Sequence, residues 1–359
     1  MKQGKTLIEL AQELQRQSEA KQDLIADTRD ITMKPDADSA YIGSHQYDKI
    51  TDHAHGQISV HTDIPKKYYD RMRQNAPALL AGNVNHWLHQ EPQKNKRGIA
   101  APSRRMVRTM DGKIRAFMSN AYRRIDNDII ANMALDTLLN MPGVDQNNIA
   151  SCDVTERKLY IKVVFDKIKG EVKKGDIVES GITITNSEIG LGGFVVAPFI
   201  HRLWCLNGAT INDAGFAKRH LGERLKQDGI VEYSIDTINA NDKALMLELR
   251  DTLKASGDQQ AFNKYLDLMR AAASSEAIQR PVEAVEVLSS QFAFNDSEKN
   301  SILENLIRDR DYSKWGALNA VTYVANTAED CDRASELEEI GGRILNLNPT
   351  QWQTIARAA

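Results

Sequence analysis

The 359-residue chain predicts an α+β fold, an antiparallel β-sheet built in the order hairpin, helix, three strands, helix, followed by a helical C-terminal region. Three observations carry that expectation. An Asp111-Gly112 pair lies between two alternating runs, the strongest short hairpin signal a sequence offers. Three later runs, 158–165, 177–185 and 193–204, are rich in β-branched and aromatic residues, the types that suit a half-buried pleated surface. Beyond Asp213 the pattern turns helical almost to the end.

Leu7, Leu10, Ala11 and Leu14 share one helical face, giving a short N-terminal helix, and the aspartate-rich stretch to Tyr47 reads as loops and short strands. Residues 52–60 and 64–72 read as helix, break and second helix, with Pro65 near the first turn, where its missing N–H does no harm. Residues 76–86 continue as another helix. After the hairpin, Asp126 or Asn127 is the N-cap of a helix to about Asn140, which Pro142-Gly143 ends. Pro281 and Asn348-Pro349 open further helices. The stretch 207–212 is the expected switch from sheet to helices. It divides the chain into an α+β domain with a basic hairpin, 1–212, and a mainly helical region, 213–359. With no flexible linker in sight, the two are expected to share an interface.

Hydrophobic residues make up 42% of the chain, enough for a real core. No apolar run approaches the roughly eighteen residues that cross a bilayer, and the start Met-Lys-Gln-Gly-Lys-Thr lacks a secretory apolar stretch. Cys152, Cys205 and Cys331 are odd in number and far apart, which argues against a disulfide framework or a zinc knuckle. A cytoplasmic protein with no membrane partner is expected.

The net charge of −3 hides a segregation. Between Ile64 and Arg124 fourteen Lys and Arg stand against Asp70, Glu91 and Asp111, a local excess of 11, while the flanks are acidic. Such a segment marks a local electrostatic footprint. With a two-residue turn, Met110 opposes Lys113, Thr109 opposes Ile114, Arg108 opposes Arg115, Val107 opposes Ala116 and Met106 opposes Phe117. One face then collects Arg104, Met106, Arg108, Lys113, Arg115 and Phe117. The other collects Val107, Thr109, Ile114, Ala116 and Met118 for a core. Like charges directly opposite one another cost stability, so a bound polyphosphate would explain them, and so would a solvated face met by acidic side chains.

The wider basic set adds Lys66, Lys67, Arg71, Arg73, Lys94, Lys96, Arg97, Arg105, Arg123 and Arg124, interleaved with Tyr68, Tyr69, Trp87, Phe117 and Tyr122. Single-strand binders need cations for phosphates and aromatic faces for bases. Trp87 reads as core. Tyr122 stands equally between core and stacking.

Other chemistries find little support. Gly190-Leu-Gly-Gly193 lacks the Lys-Ser/Thr ending of a P-loop and reads as a strand turn, and Gly4-Lys5-Thr6 has no upstream glycine. His53, His55 and His61, or His201 with Cys205 and His220, show no zinc spacing. Asp153, Glu156 and Lys158 mimic the carboxylates and lysine of a metal-dependent nuclease but sit where a hairpin turn belongs. No elbow motif for Ser/His/Asp or Cys/His catalysis is present. Trp315 to Thr322 reads as the buried side of a helix. No catalytic residue, metal site or cofactor is expected.

Five segments occur together: Ile64-Pro-Lys-Lys-Tyr68, Arg108-Thr-Met-Asp-Gly-Lys-Ile-Arg-Ala-Phe-Met-Ser-Asn-Ala-Tyr122, Thr185-Asn-Ser-Glu-Ile-Gly190, Arg202-Leu-Trp-Cys-Leu-Asn-Gly208 and Trp315-Gly-Ala-Leu-Asn-Ala-Val-Thr322. In that order, over most of the chain, they resemble the phage and plasmid-like family catalogued as domain of unknown function 932. The resemblance implies a phage, prophage or plasmid setting and transfers no catalytic residue. The order of elements also resembles the core of single-strand annealing recombinases, which work as oligomeric rings. That likeness is one of topology and carries an association only.

The leading expectation is a non-enzymatic nucleic-acid-binding protein that prefers single-stranded DNA and anneals complementary strands as a homo-oligomer. Lys66, Lys67, Arg104, Arg105, Arg108, Lys113, Arg115, Arg123 and Arg124 would meet phosphates, and Phe117 and Tyr122 would stack on bases. A protein-interaction or virion-associated factor, with its basic patch on an acidic partner, is the alternative. A metal-dependent nuclease is the third.

Overall fold

The computed structural model describes residues 1–90, 103–120, 122, 125–211, 218–219 and 235–358. Its elements run in order as α1 (Leu7–Ala20), β1 (Lys21–Asp27), β2 (Ile31–Met33), β3 (Ala40–Ile42), β4 (His45–Tyr47), β5 (Lys49–Ile50), α2 (Asp52–His61), α3 (Lys66–Asn75), α4 (Pro77–Leu88), β6 (Arg104–Met110), β7 (Lys113–Ser119) and α5 (Asn127–Leu139). Then come β8 (Ile149–Val154), β9 (Leu159–Lys173), β10 (Asp176–Asn186), β11 (Phe194–Arg202), β12 (Asn207–Thr210) and β13 (Lys218–Arg219). The helices α6 (Ile235–Ala255), α7 (Gln259–Ala273), α8 (Pro281–Phe292), α9 (Asp296–Asp309), α10 (Lys314–Val324), α11 (Cys331–Leu345) and α12 (Pro349–Ala356) complete the chain.

Asp111 and Gly112 close the β6–β7 hairpin with φ of 52° and 71°, the two positive values a type I′ turn requires. Met110 pairs with Lys113 and Thr109 with Ile114, as expected. The register then breaks. A β-bulge between Arg108 and Thr109 leaves Arg115 as the extra residue, so Arg108 faces Ala116, Val107 faces Phe117 and Met106 faces Met118. The expected Arg108–Arg115 opposition is therefore corrected. Side chains alternate with a period of two, so one inserted residue moves those beyond it to the other face. Phe117 joins Val107 and Ile114 on a core formed with α2, α3 and α4, while Ala116 and Met118 join Met106 in a small cluster with Ile189.

The hairpin lies inside a four-stranded sheet of order β1-β6-β7-β5, in which Asp23 of β1 pairs directly with Arg108 of β6. A larger antiparallel sheet runs β12-β11-β10-β9-β8, with β13 paired to β11. On it Ile161, Val163, Ile182 and Ile184 pack against Leu10 and Leu14 of α1, Ile130 and Leu138 of α5, and Leu249 and Leu253 of α6. Val178, Ile200, Ala209 and Ile211 instead pack against α7 to α12, through Phe262, Leu266, Trp315, Leu318 and Leu337 among others. Between these apolar positions of β9, Tyr160 reaches Asp332 and Lys162 reaches Glu338, both on α11. Gly342 lets α11 approach β12, since a Cβ there would stand 1.9 Å from the Thr210 carbonyl oxygen.

The three strand runs, the helix after the hairpin and the starts at Pro281 and Pro349 are present as read. The stretch 207–212 differs, because Asn207–Thr210 is itself a strand of the large sheet. Likewise α6 packs with α1 and α5, so the helical region begins by completing the first domain's core. Among the described residues no helix is long and apolar enough to cross a membrane.

Candidate functional site

Glu188 follows β10, inside the motif Thr185-Asn-Ser-Glu-Ile-Gly190, and is 3% exposed. Asn186, Ser187 and Glu188 of that motif tie it to its surroundings. Asn186 donates to the Ile125 carbonyl and to Asn127 Oδ1, and Ser187 donates to the Arg157 carbonyl. The Glu188 carboxylate accepts from the Asn127 amide at 2.8 Å, and it lies 3.4 Å from both Lys21 Nζ and Arg115 Nη1. The Ile189 carbonyl accepts from His53 Nε2 at 2.6 Å, read as its protonated nitrogen, and from Gln57 Nε2 at 2.9 Å. The loop thereby joins the hairpin sheet, α2, α5 and the large sheet.

Arg108 is 1% exposed and each nitrogen of its guanidinium is bonded. It grips Asp23 through Nε at 2.7 Å and Nη2 at 3.1 Å, and donates to Asp126 at 2.7 Å and to the Glu188 carbonyl at 2.8 Å. Burial works against its charge, but Asp126 and Asp23 outweigh that and hold its pKa above the ordinary value. Burial likewise opposes the Asp126 carboxylate, and Arg108 and Lys21 reverse the balance, so its pKa lies below the aspartate range. Asp126 occupies the N-cap of α5 as expected but makes no side-chain cap bond. Glu188 bonds the first amide of α5 in its place.

Arg115 is also buried, at 4% exposure, yet poorly satisfied. Its two Nη atoms stand 3.4 Å from Glu188 and its Nε has no partner among the described residues. Burial lowers its pKa, and Glu188 only partly restores it.

Arg115 lines a cleft of about 490 Å³ shared with Lys49, Thr51, Asp52, His53, Lys113, Glu156, Arg157, Ile189 and Leu191. Four cations therefore surround it with two carboxylates. Glu156 is held at 3.5 Å by Lys113, and Asp52 at 2.6 Å by Arg73. Lys49 and Arg157 are exposed and form no salt bridge among the described residues. The cleft also opens on the start of α2, where the Thr51 hydroxyl caps the Ala54 amide. The amides of Asp52 and His53 have no partner among the described residues. Burial lowers the pKa of His53.

The residues expected to bind nucleic acid do not form one surface. Lys113 and Arg115 meet in the cleft. Arg108 and Phe117, at 1% and 3% exposure, are sealed inside and correct the expectation of a phosphate contact and a stacking ring. Arg105 is half-buried against His61 and Phe117. Arg104 is exposed at the far end of β6 from the turn. Lys66 and Lys67 are exposed on α3, with Lys66 paired to Asp70. Tyr122 is half-buried and its hydroxyl donates to the Ser187 carbonyl at 3.3 Å. Arg123 and Arg124, like Lys94, Lys96 and Arg97, lie outside the described residues. Trp87, read as core, is 48% exposed, with Nε1 bonded to Asn83.

The other constellations come apart. His53, His55 and His61 turn to Ile189, Tyr69 and Arg105 respectively. His201 turns to Glu179 at 3.2 Å, Cys205 lies beside Arg202, and His220 is outside the described residues. Asp153 lies near the end of β8 in the grip of Lys5 at 2.6 Å, while Glu156 sits in the β8–β9 turn by Lys113. Sequence reasoning missed Lys49, His53 and Arg157 as cleft residues, and nothing in their local sequence marks them. Glu188 carried a signal in its motif.

No protein family, curated protein or solved structure matches the chain.

Proposed function

We propose that the protein is a non-enzymatic nucleic-acid-binding protein of a phage, prophage or plasmid that favours single-stranded DNA, with the Arg115 cleft as its principal phosphate contact. The observation behind this reading is the imbalance in the cleft. Lys49 and Arg157 form no salt bridge among the described residues, Arg115 is buried on the cleft wall and held only at 3.4 Å by Glu188, and a helix N-terminus lines the same space. Buried charge without adequate partners is costly, and phosphate oxygens would satisfy it. Exposed Lys66, Lys67 and Arg104 remain as secondary phosphate contacts. Aromatic stacking carries less weight here, because Phe117 is interior. The mobile-element setting, annealing and the homo-oligomer rest on the motif and topology resemblances.

Labelled single-stranded oligonucleotides titrated across salt concentrations test the reading. Phosphate contacts predict a log–log slope near −0.7 per contact. Lys49→Glu with Arg157→Glu is expected to flatten that slope by about one to two contacts. Absence of binding in dilute buffer, or a slope unchanged in the double variant, overturns it.

A further inference from the structure

We infer that the cleft selects a phosphomonoester, a terminal phosphate carried by a strand end or by a free mononucleotide, over the diester of a strand interior. The inference rests on the phosphate reading of the cleft and adds the class of phosphate. Size is the first argument. About 490 Å³ lies in the range that encloses one small ligand, whereas tracks for single strands cover roughly 4–16 nucleotides per module.

Charge is the second argument. Once Glu156 is paired with Lys113 and Asp52 with Arg73, the cleft keeps Lys49, Arg157 and the loosely held Arg115. A phosphodiester brings about one negative charge, and a monoester about 1.5 to 2 with three terminal oxygens. The second charge and third oxygen have donors waiting. The amides of Asp52 and His53 at the start of α2 have no partner among the described residues, and Arg115, more than nine-tenths buried, lines the same cleft held only at 3.4 Å by Glu188. Arg108 serves as the internal contrast. With two carboxylates and a carbonyl already on its guanidinium, it has nothing to offer a ligand.

His53 supplies an independent readout. It lines the cleft, and burial holds its pKa below the ordinary value, so it is neutral near pH 7. A doubly charged group beside it would raise that pKa, and binding would take up a proton.

The experiment compares one oligonucleotide sequence with a 5′-phosphate, with a 3′-phosphate and with hydroxyls at both ends, alongside free thymidine monophosphate as competitor. A terminal phosphate is expected to tighten binding about tenfold or more, and Arg157→Ala is expected to erase most of the difference. Arg157 is exposed, so that variant keeps its fold. The ring signals of His53 in an NMR titration are expected to report a higher pKa with the 5′-phosphorylated strand bound than with the strand that ends in hydroxyls. Displacement by thymidine monophosphate identifies a free nucleotide as a source; discrimination without displacement identifies the strand end. Salt-dependent binding that is equal for phosphorylated and unphosphorylated strands overturns this inference and leaves the strand-binding reading standing. Thymidine monophosphate binding by a protein that ignores strands does the reverse.

Discussion

The large sheet is held to its neighbours by two seams of different chemistry. Where it meets the hairpin sheet, the buried apolar residues are few, Met106, Ala116, Met118 and Ile189, and the seam is ionic, built on Arg108, Arg115, Lys21, Asp23, Asp126 and Glu188. Where it meets the C-terminal helices, a broad apolar core does the joining, with Trp315, Leu318, Leu337 and Phe262 all at 2% exposure or less. Polar contacts frame that core without replacing it: Trp315 on Asp176, Lys173 on Asp311, Tyr160 on Asp332, Asn207 on Asn319 and Thr322, and the buried Lys162–Glu338 pair. Ion pairs fix geometry through donor direction, whereas apolar contacts fix it through shape. The first seam tolerates no missing partner, and the second tolerates no missing volume.

The largest effect is expected from Glu188→Ala. It strands Arg115 without the one carboxylate paired to it among the described residues and takes the cap from α5, and breaking a buried pair in this way costs about 3–5 kcal/mol. Urea denaturation measures it, and a loss under about 1 kcal/mol would erase the distinction between the seams.

Acid offers a smaller contrast. The folded Asp126 carboxyl titrates below its unfolded value of about 3.9, so it adds stability above that pH and loses it as pH falls through the lower folded pKa. Amide exchange in the first turn of α5 is therefore expected to quicken below about pH 3.9 before the middle of α11 does. Simultaneous quickening would mean that the seams respond as one. The smallest effect is expected for Arg104→Ala, an exposed end-of-strand cation, within about 0.5 kcal/mol in the same urea assay.

These seams also explain how much of the molecule could be read from the chain. The Asp-Gly turn, the strand runs and the proline-led helices were legible because their causes are local. The basic segment from Ile64 to Arg124 was equally legible as a charge excess, but its meaning was not. The carboxylates that answer Arg108 and Arg115 stand at positions 23, 126 and 188, brought in by β1, by the start of α5 and by the loop after β10. A sequence window cannot balance a charge against a partner eighty residues away. Strand β8 was missed because Ile149–Val154 carries only small and polar residues between its ends, and β1 was legible only within a stretch of loops and short strands because Lys21–Asp27 alternates weakly. Lys49 and Arg157 gained their place from the cleft, which separate stretches of chain assemble.

The bulge at Arg115 has a consequence for how the molecule acquires its structure. The turn alone sets the first two pairs of the hairpin and is indifferent to the pairs beyond them. An unbulged ladder would satisfy the same backbone groups while presenting the wrong side chains. The choice falls to Asp23 and Glu188, which arrive from opposite directions along the chain. Loop closure must be met before contacts so distant in sequence reward it. The hairpin is thus a clasp whose teeth are aligned by chain that has to come round from both sides.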